Sequence, residues 1–199
     1  MRRSKVVQTE GAVSDPRPEL KLTYEDYLCF PDDGKRREII DGELYVTAAP
    51  NLKHQSISIN LASALKLFLD QARLGRVFAA PTDVVLSEVD VVEPDILFVS
   101  KERAERLTES NVQGAPDLVV EILSPSTRRT DERIKLKRYE RFHVREYWIV
   151  DPELEIVKVY RRGAKAGLER VAELAQEAGD ALTTPLLPGL TIPLAKVFE

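Results

Sequence analysis

One run of six residues limits the folds open to this chain more than any other: Leu118-Val119-Val120-Glu121-Ile122-Leu123. Successive side chains of a strand point to opposite faces, so apolar residues at every position but one require cover on both faces. Such a strand belongs at the centre of a sheet with helices packed on each side, an α/β arrangement. The exception, Glu121, then becomes a buried carboxylate, and an ionised carboxylate in an apolar interior needs protonation, a cation partner or a metal. Asp95 opens a second such strand, Pro94-Asp95-Ile96-Leu97-Phe98-Val99. Acids entering from neighbouring strands can share one divalent ion.

The 199 residues suit one core of ordinary size. It is expected over residues 22–199, after a polar leader of residues 1–21 that carries Pro16 and Pro18. Thr23 with Asp26 marks a helix start for residues 24–28, and Asp41-Gly42 centres a hairpin over residues 37–46. Ile57, Leu61, Ala64, Leu65 and Phe68 recur at helical spacing within residues 54–74, with Gly75 as the C-cap. Strands are expected around residues 82–87, 94–99 and 117–123, with a short charged helix at 101–108. A helix over 131–143, a strand over 146–150 and its hairpin partner over 155–160 follow, the last two joined through Asp151-Pro152. Residues 168–175 fit a helix or a half-buried strand equally well by pattern.

A formal net charge of -4 argues against indiscriminate coating of nucleic acid, which depends on many phosphate contacts by Lys and Arg. Cys29 is the sole cysteine, so there is no disulfide framework, and no Cys/His cluster has zinc spacing. No stretch approaches the ~18 apolar residues of a membrane span, and no apolar signal segment opens the chain. The expectation is a soluble cytoplasmic protein.

The helix after Glu121 carries the second anomaly. At about 100° per residue, Lys135 falls among Phe142, Tyr139, Ile134 and Leu136, in the middle of the apolar face, whereas Lys137 falls on the far side. A lysine there either snorkels outward or directs its ammonium to a buried anion such as Asp95 or Glu121. Two carboxylates suit Mg²⁺ or Mn²⁺, which accept phosphate oxygens as further ligands, and a lysine beside them can orient water or stabilise developing charge. Glu38, amid Ile39 and Ile40, is a third acid, or else a cross-strand partner of Arg36 or Arg37. The run containing Arg128, Arg129, Arg133 and Lys137 is a candidate phosphate-tracking surface. His54 and Ser124 are accessory candidates, the first for phosphate or a metal-bound water, the second for a hydrogen bond in the site or a turn cap. Asp83 is a spare acid. The bland reading of Glu121 is a buried ion pair with Lys135 or an arginine.

Five ordered blocks, Arg37-Glu38-Ile39-Ile40-Asp41-Gly42-Glu43-Leu44, Pro94-Asp95, residues 120–127, Asp131 with Lys135 and Tyr139, and residues 146–151, resemble the Uma-type family of inferred bacterial restriction endonucleases. That family is assigned to the PD-(D/E)XK nuclease superfamily, and the likeness runs from about Leu22 to the segment Pro188-Gly189-Leu190. It implies a restriction-endonuclease-like core of helix, three strands, helix and strand around a central mixed sheet, with an N-terminal helix and hairpin added. It further implies a strand at residues 168–175 and a metal-dependent DNA endonuclease. Asp95 and Glu121 would hold Mg²⁺ or Mn²⁺, with Lys135 and Glu38 assisting. The superfamily lysine normally lies two residues after the strand acid, a position held here by Leu123, so the resemblance implies its relocation to Lys135. Restriction enzymes acting on duplex DNA are often dimers, which makes a homodimer the analogous expectation. Two other readings stay open: a silent nucleic-acid-binding or regulatory protein on the same fold, and an assembly partner with Tyr147, Trp148 and Tyr160 on a sheet edge.

Overall fold

The computed structural model describes residues 20–31, 33–163 and 167–199, so most of the expected leader lies outside the described residues. Thr23 caps the first helix, α1 (Tyr24–Leu28), in a reciprocal box: the Thr23 N–H donates to the Asp26 carboxylate at 2.8 Å while the Thr23 hydroxyl accepts from the Asp26 N–H. The chain then forms β1 (Arg36–Ile40) and β2 (Glu43–Thr47), a hairpin closed at Asp41-Gly42. Both turn residues have positive φ, 56° and 81°, the geometry whose twist matches that of the flanking strands. α2 (Leu52–Ala72) follows, capped by the Asn51 side chain, and buries Ile57, Leu61, Leu65 and Leu69 along one stripe.

Two expectations change after α2. The helix ends on Arg73, left-handed at φ 55°, and Gly75 instead opens β3 (Gly75–Ala79). A Cβ at Gly75 would lie 2.2 Å from the Val99 carbonyl oxygen, so close backbone approach, not helix termination, requires glycine there. β3 escaped the sequence reading because a half-buried edge strand squeezed between a helix end and Pro81 has little pattern to show. The strand expected at 82–87 forms as β4 (Val84–Ser87), but it turns back through β5 (Asp90–Val92) and joins a different sheet.

Next come β6 (Ile96–Ser100), a 3₁₀ helix over Lys101–Arg106, β7 (Val112–Gln113) and β8 (Leu118–Ile122). A π-helical turn, Thr130–Lys135, runs into α3 (Leu136–Arg141), followed by β9 (Glu146–Asp151), β10 (Ile156–Arg162) and β11 (Leu168–Ala175). Short strands β12 (Ala181–Leu182) and β13 (Ile192–Pro193) and the helix α4 (Leu194–Val197) close the fold. The main sheet runs β11-β10-β9-β8-β6-β3, with β8 parallel to β9 and antiparallel to β6. Helix, three strands, helix and strand is thus the order of the core, with β3 in the first strand's place.

β8 is covered on both faces. Leu118, Val120 and Ile122 pack with the buried stripe of α2, while Val119 and Leu123 pack with Tyr139, Tyr147, Ile149 and residues of the second sheet, β2-β1-β5-β4-β7. The idea of an aromatic sheet edge fails, because β9 is interior and Tyr147 and Trp148 are fully buried. Among the described residues no helix is long and apolar enough to cross a membrane.

Candidate active site

Glu121 interrupts the apolar face that β8 turns toward the second sheet, and only 2% of it is exposed. Opposite it lies the π-helical turn, a feature that recurs at functional sites, and it points both Asp131 and Lys135 inward while Lys137 stays exposed. Lys135 Nζ stands 2.7 Å from Glu38 Oε1, 2.9 Å from Glu121 Oε1 and 3.6 Å from Asp131 Oδ1. The Tyr139 hydroxyl donates to the same Glu121 oxygen at 2.7 Å. β1 delivers Glu38, whose Oε1 also accepts the Glu93 N–H at 2.8 Å.

Asp95, at the entry to β6, is held by three elements. Its Oδ2 accepts the Ile122 N–H at 2.7 Å and lies 3.3 Å from His54 Nε2, while its Oδ1 accepts from Arg36 at 2.7 Å. Arg36 also stands 3.7 Å from Glu121 Oε2 and 3.2 Å from Glu93 Oε1, so one guanidinium links the two strand acids. These groups line a cleft of about 340 Å³ whose walls include Ala48, Asn51, Ser124 and Arg128.

The environment splits the carboxylates. Burial lifts Glu121 to about 8, against the pull of Lys135. Burial likewise raises Asp131, and it lifts Glu93 to about 7. Burial pushes Asp95 the same way, but the His54 contact, Arg36 and the Ile122 N–H outweigh it and bring Asp95 down to about 2. For Lys135 burial disfavours the ammonium, yet Glu121, Glu38 and Asp131 prevail and hold it well above the usual lysine range. These neighbours favour the ammonium form of Lys135, a cation and hydrogen-bond donor, over the free amine. Carboxyl groups pushed in opposite directions within one cleft are what acid–base and metal chemistry use.

The donor set fits a divalent cation. Five carboxylates, Glu38, Glu93, Asp95, Glu121 and Asp131, face two cations, Arg36 and Lys135, so full ionisation leaves three negative charges in excess. Among the described residues no three His, Cys, Asp or Glu side chains form a ready metal cage. An ion here would rest on one or two carboxylates and complete its shell with water and phosphate oxygens, the habit of Mg²⁺.

Glu38, Asp95, Glu121, Lys135 and His54 thus line one cleft. Ser124 lines the cleft, but its hydroxyl is engaged with Ser126 and Thr127 as a turn cap. Arg128 is tied to Asp151 and Glu153, whereas Arg129, Arg133 and Lys137 are exposed. Asp83 accepts from the Tyr27 hydroxyl at 2.7 Å in a neighbouring cleft. Sequence reasoning gave no site role to Arg36 or Asp131. For Asp131 a signal existed, since it lies one turn before Lys135 on the same face.

Residues 24–195 match the Uma2 family, described as "Putative restriction endonuclease". The uncharacterized protein slr1290 of Synechocystis sp. is 29% identical over 132 residues, which cover 64% of this chain and 67% of that protein. A crystal structure described as "a putative nuclease belonging to DUF820" from Anabaena variabilis superposes with a TM-score of 0.73. The alignment covers 89% of this chain and 97% of that one at 22% identity, a likeness of fold.

Proposed function

The chain belongs to the Uma2 family, and from that premise we propose that it hydrolyses phosphodiester bonds in DNA with Mg²⁺ or Mn²⁺ held by Asp95 and Glu121. The observation that carries this reading is the convergence of Glu38 from β1, Glu121 from β8 and Asp131 from the π-helical turn on one buried lysine, in a cleft that Asp95 also lines. When bound, such an ion neutralises phosphate charge and lowers the pKa of a water. Lys135, kept as an ammonium by its acidic neighbours, donates toward the charge that develops on the phosphate oxygens. Glu38 and Tyr139 orient that ammonium and Glu121 respectively, and His54 fixes the carboxylate of Asp95. Arg129, Arg133 and Lys137 are assigned to backbone phosphates outside the cleft.

A second reading, a catalytically silent nucleic-acid-binding or regulatory protein, is favoured by one observation: Arg36 and Lys135 already pair the carboxylates internally. Incubating supercoiled and linear DNA with wild type, Asp95→Asn and Glu121→Gln in Mg²⁺, Mn²⁺ or EDTA separates the two. The nuclease reading expects cleavage by wild type with metal alone and at least ~10²-fold loss in either variant. DNA bound at full occupancy yet never cut, with calorimetry finding no metal uptake, would establish the silent reading.

A further inference from the structure

The guanidinium of Arg36 occupies the ground between Asp95 and Glu121. It donates to Asp95 Oδ1 at 2.7 Å, while its other arm stands 3.7 Å from Glu121 Oε2 and its Nε 3.2 Å from Glu93 Oε1. The first contact is a formed hydrogen bond, but the second arm and Nε are buried without an acceptor in line. A planar fork matches poorly two carboxylates that arrive from different strands, and each buried N–H left unsatisfied is destabilising. Arg36 also lines a second cleft of about 510 Å³, together with Tyr27, Asp83 and Glu93. Acidic groups therefore flank it on both sides: Asp95 and Glu121 in one cleft, Glu93 and Asp83 toward the other.

We propose that Arg36 is a resident counter-cation that competes with the divalent ion for Asp95 and Glu121 and withdraws toward Glu93 when displaced. The inference rests on the divalent-ion reading above. In the metal-free fold Arg36 relieves the repulsion between two buried acids, and the same contact sets the threshold that an entering ion must overcome. Arg36 is then a positioning residue acting through Asp95 and Glu121, and its signature is metal affinity.

Mn²⁺ calorimetry on the full chain tests this with wild type, Arg36→Gln, Arg36→Lys, Glu93→Gln, the Arg36→Gln/Glu93→Gln double variant and Asp95→Asn, each checked for folding by thermal melting. Removing the competitor in Arg36→Gln should tighten Mn²⁺ binding by about tenfold or more, the scale of one close charge pair. Arg36→Lys keeps the charge but not the fork, so it should tighten binding too, and it carries the comparison should Arg36→Gln fail to fold. Glu93→Gln should weaken binding while Arg36 is present and much less in the Arg36→Gln background, a coupling that general electrostatics does not produce. Unchanged or weaker binding in Arg36→Gln, wild-type affinity in Arg36→Lys, or an equal cost of Glu93→Gln in both backgrounds would each overturn the competition. If wild type binds and Asp95→Asn does not while the Arg36 variants stay flat, the divalent-ion reading stands without this inference. No uptake by any variant, Arg36→Gln included, overturns both.

Discussion

Lys135 is the residue on which the site turns, because it is a buried ammonium touching three carboxylates. Replacing it with methionine keeps an unbranched apolar stem but removes the ammonium and leaves Glu38, Glu121 and Asp131 facing one another. Lys135→Met should therefore lose about 3 kcal/mol or more of stability, the cost of orphaning buried charges, along with metal-dependent cleavage. Lys137→Ala, two residues on and exposed, should stay within about 0.5 kcal/mol of wild type and show weaker DNA binding with a shallower salt slope. Denaturant titration, single-turnover cleavage and binding at two salt concentrations would check both, and a cleavage defect confined to Lys137→Ala would contradict the placement. Legibility at this scale followed contrast. Glu121, Asp95 and Lys135 stood out as charges set into apolar patterns, and the fold brings them together. Arg36 lies in a charged stretch, Lys35-Arg36-Arg37, where one more charge carries no signal and only the fold reveals which side chain turns inward, and Asp131, within the charged residues 128–133, is marked only by its spacing to Lys135.

Elements with dense local signals read well, and those defined by partners did not. The 21-residue α2, the Asp41-Gly42 hairpin and the doubly covered β8 each follow from periodicity or turn chemistry within a single window. β3 is an edge strand that exists by pairing with β6, and the sheet that claims β4 is chosen by its pairing with β7 and by that of its neighbour β5 with β1, both of which lie outside any local window. Gly75 shows the difference, since its proximity to Val99 across the β3–β6 pair is invisible in sequence. Gly75→Ala should force those backbones apart and destabilise the fold by about 1–3 kcal/mol, the usual cost of overpacking. The expected signature is a lower denaturant midpoint at unchanged m-value. A midpoint matching wild type would mean that β3 shifts freely, and with it the first strand of the core. The π-helical turn is the other feature no window reports: it keeps Asp131 and Lys135 on one face beside Glu121, so the element that departs from regular geometry is the one that completes the cleft.

For the molecule as a whole, the raised carboxyls make metal-free stability a function of pH. Glu121 is held up to about 8 against an ordinary value of 4.5, and Glu93 to about 7, so between about 4.5 and about 8 the folded state binds more protons than the unfolded state. Stability rises with pH only where the unfolded state binds more protons, so here it falls across that window and levels off above it. Asp95 contributes with the opposite sign: its stabilisation is present above 3.8 and is lost as pH drops toward about 2. Melting temperatures in EDTA should accordingly peak near the ordinary carboxylate range and decline toward about 8. Divalent ions compete with protons for the same oxygens and bind the folded state, so saturating Mn²⁺ should stabilise most where the carboxyls ionise, flattening or reversing that decline. Glu121→Gln, which retains shape without an ionisable group, should melt with much less pH dependence in EDTA and gain little from Mn²⁺. Thermal melts of both proteins across the window, with EDTA and with Mn²⁺, check the linkage in one series. A wild-type curve flat in EDTA would mean that Lys135 keeps Glu121 ionised throughout, and one that also ignores Mn²⁺ would make the cluster a structural ion pair, because an ion that occupies these acids must move the folding equilibrium.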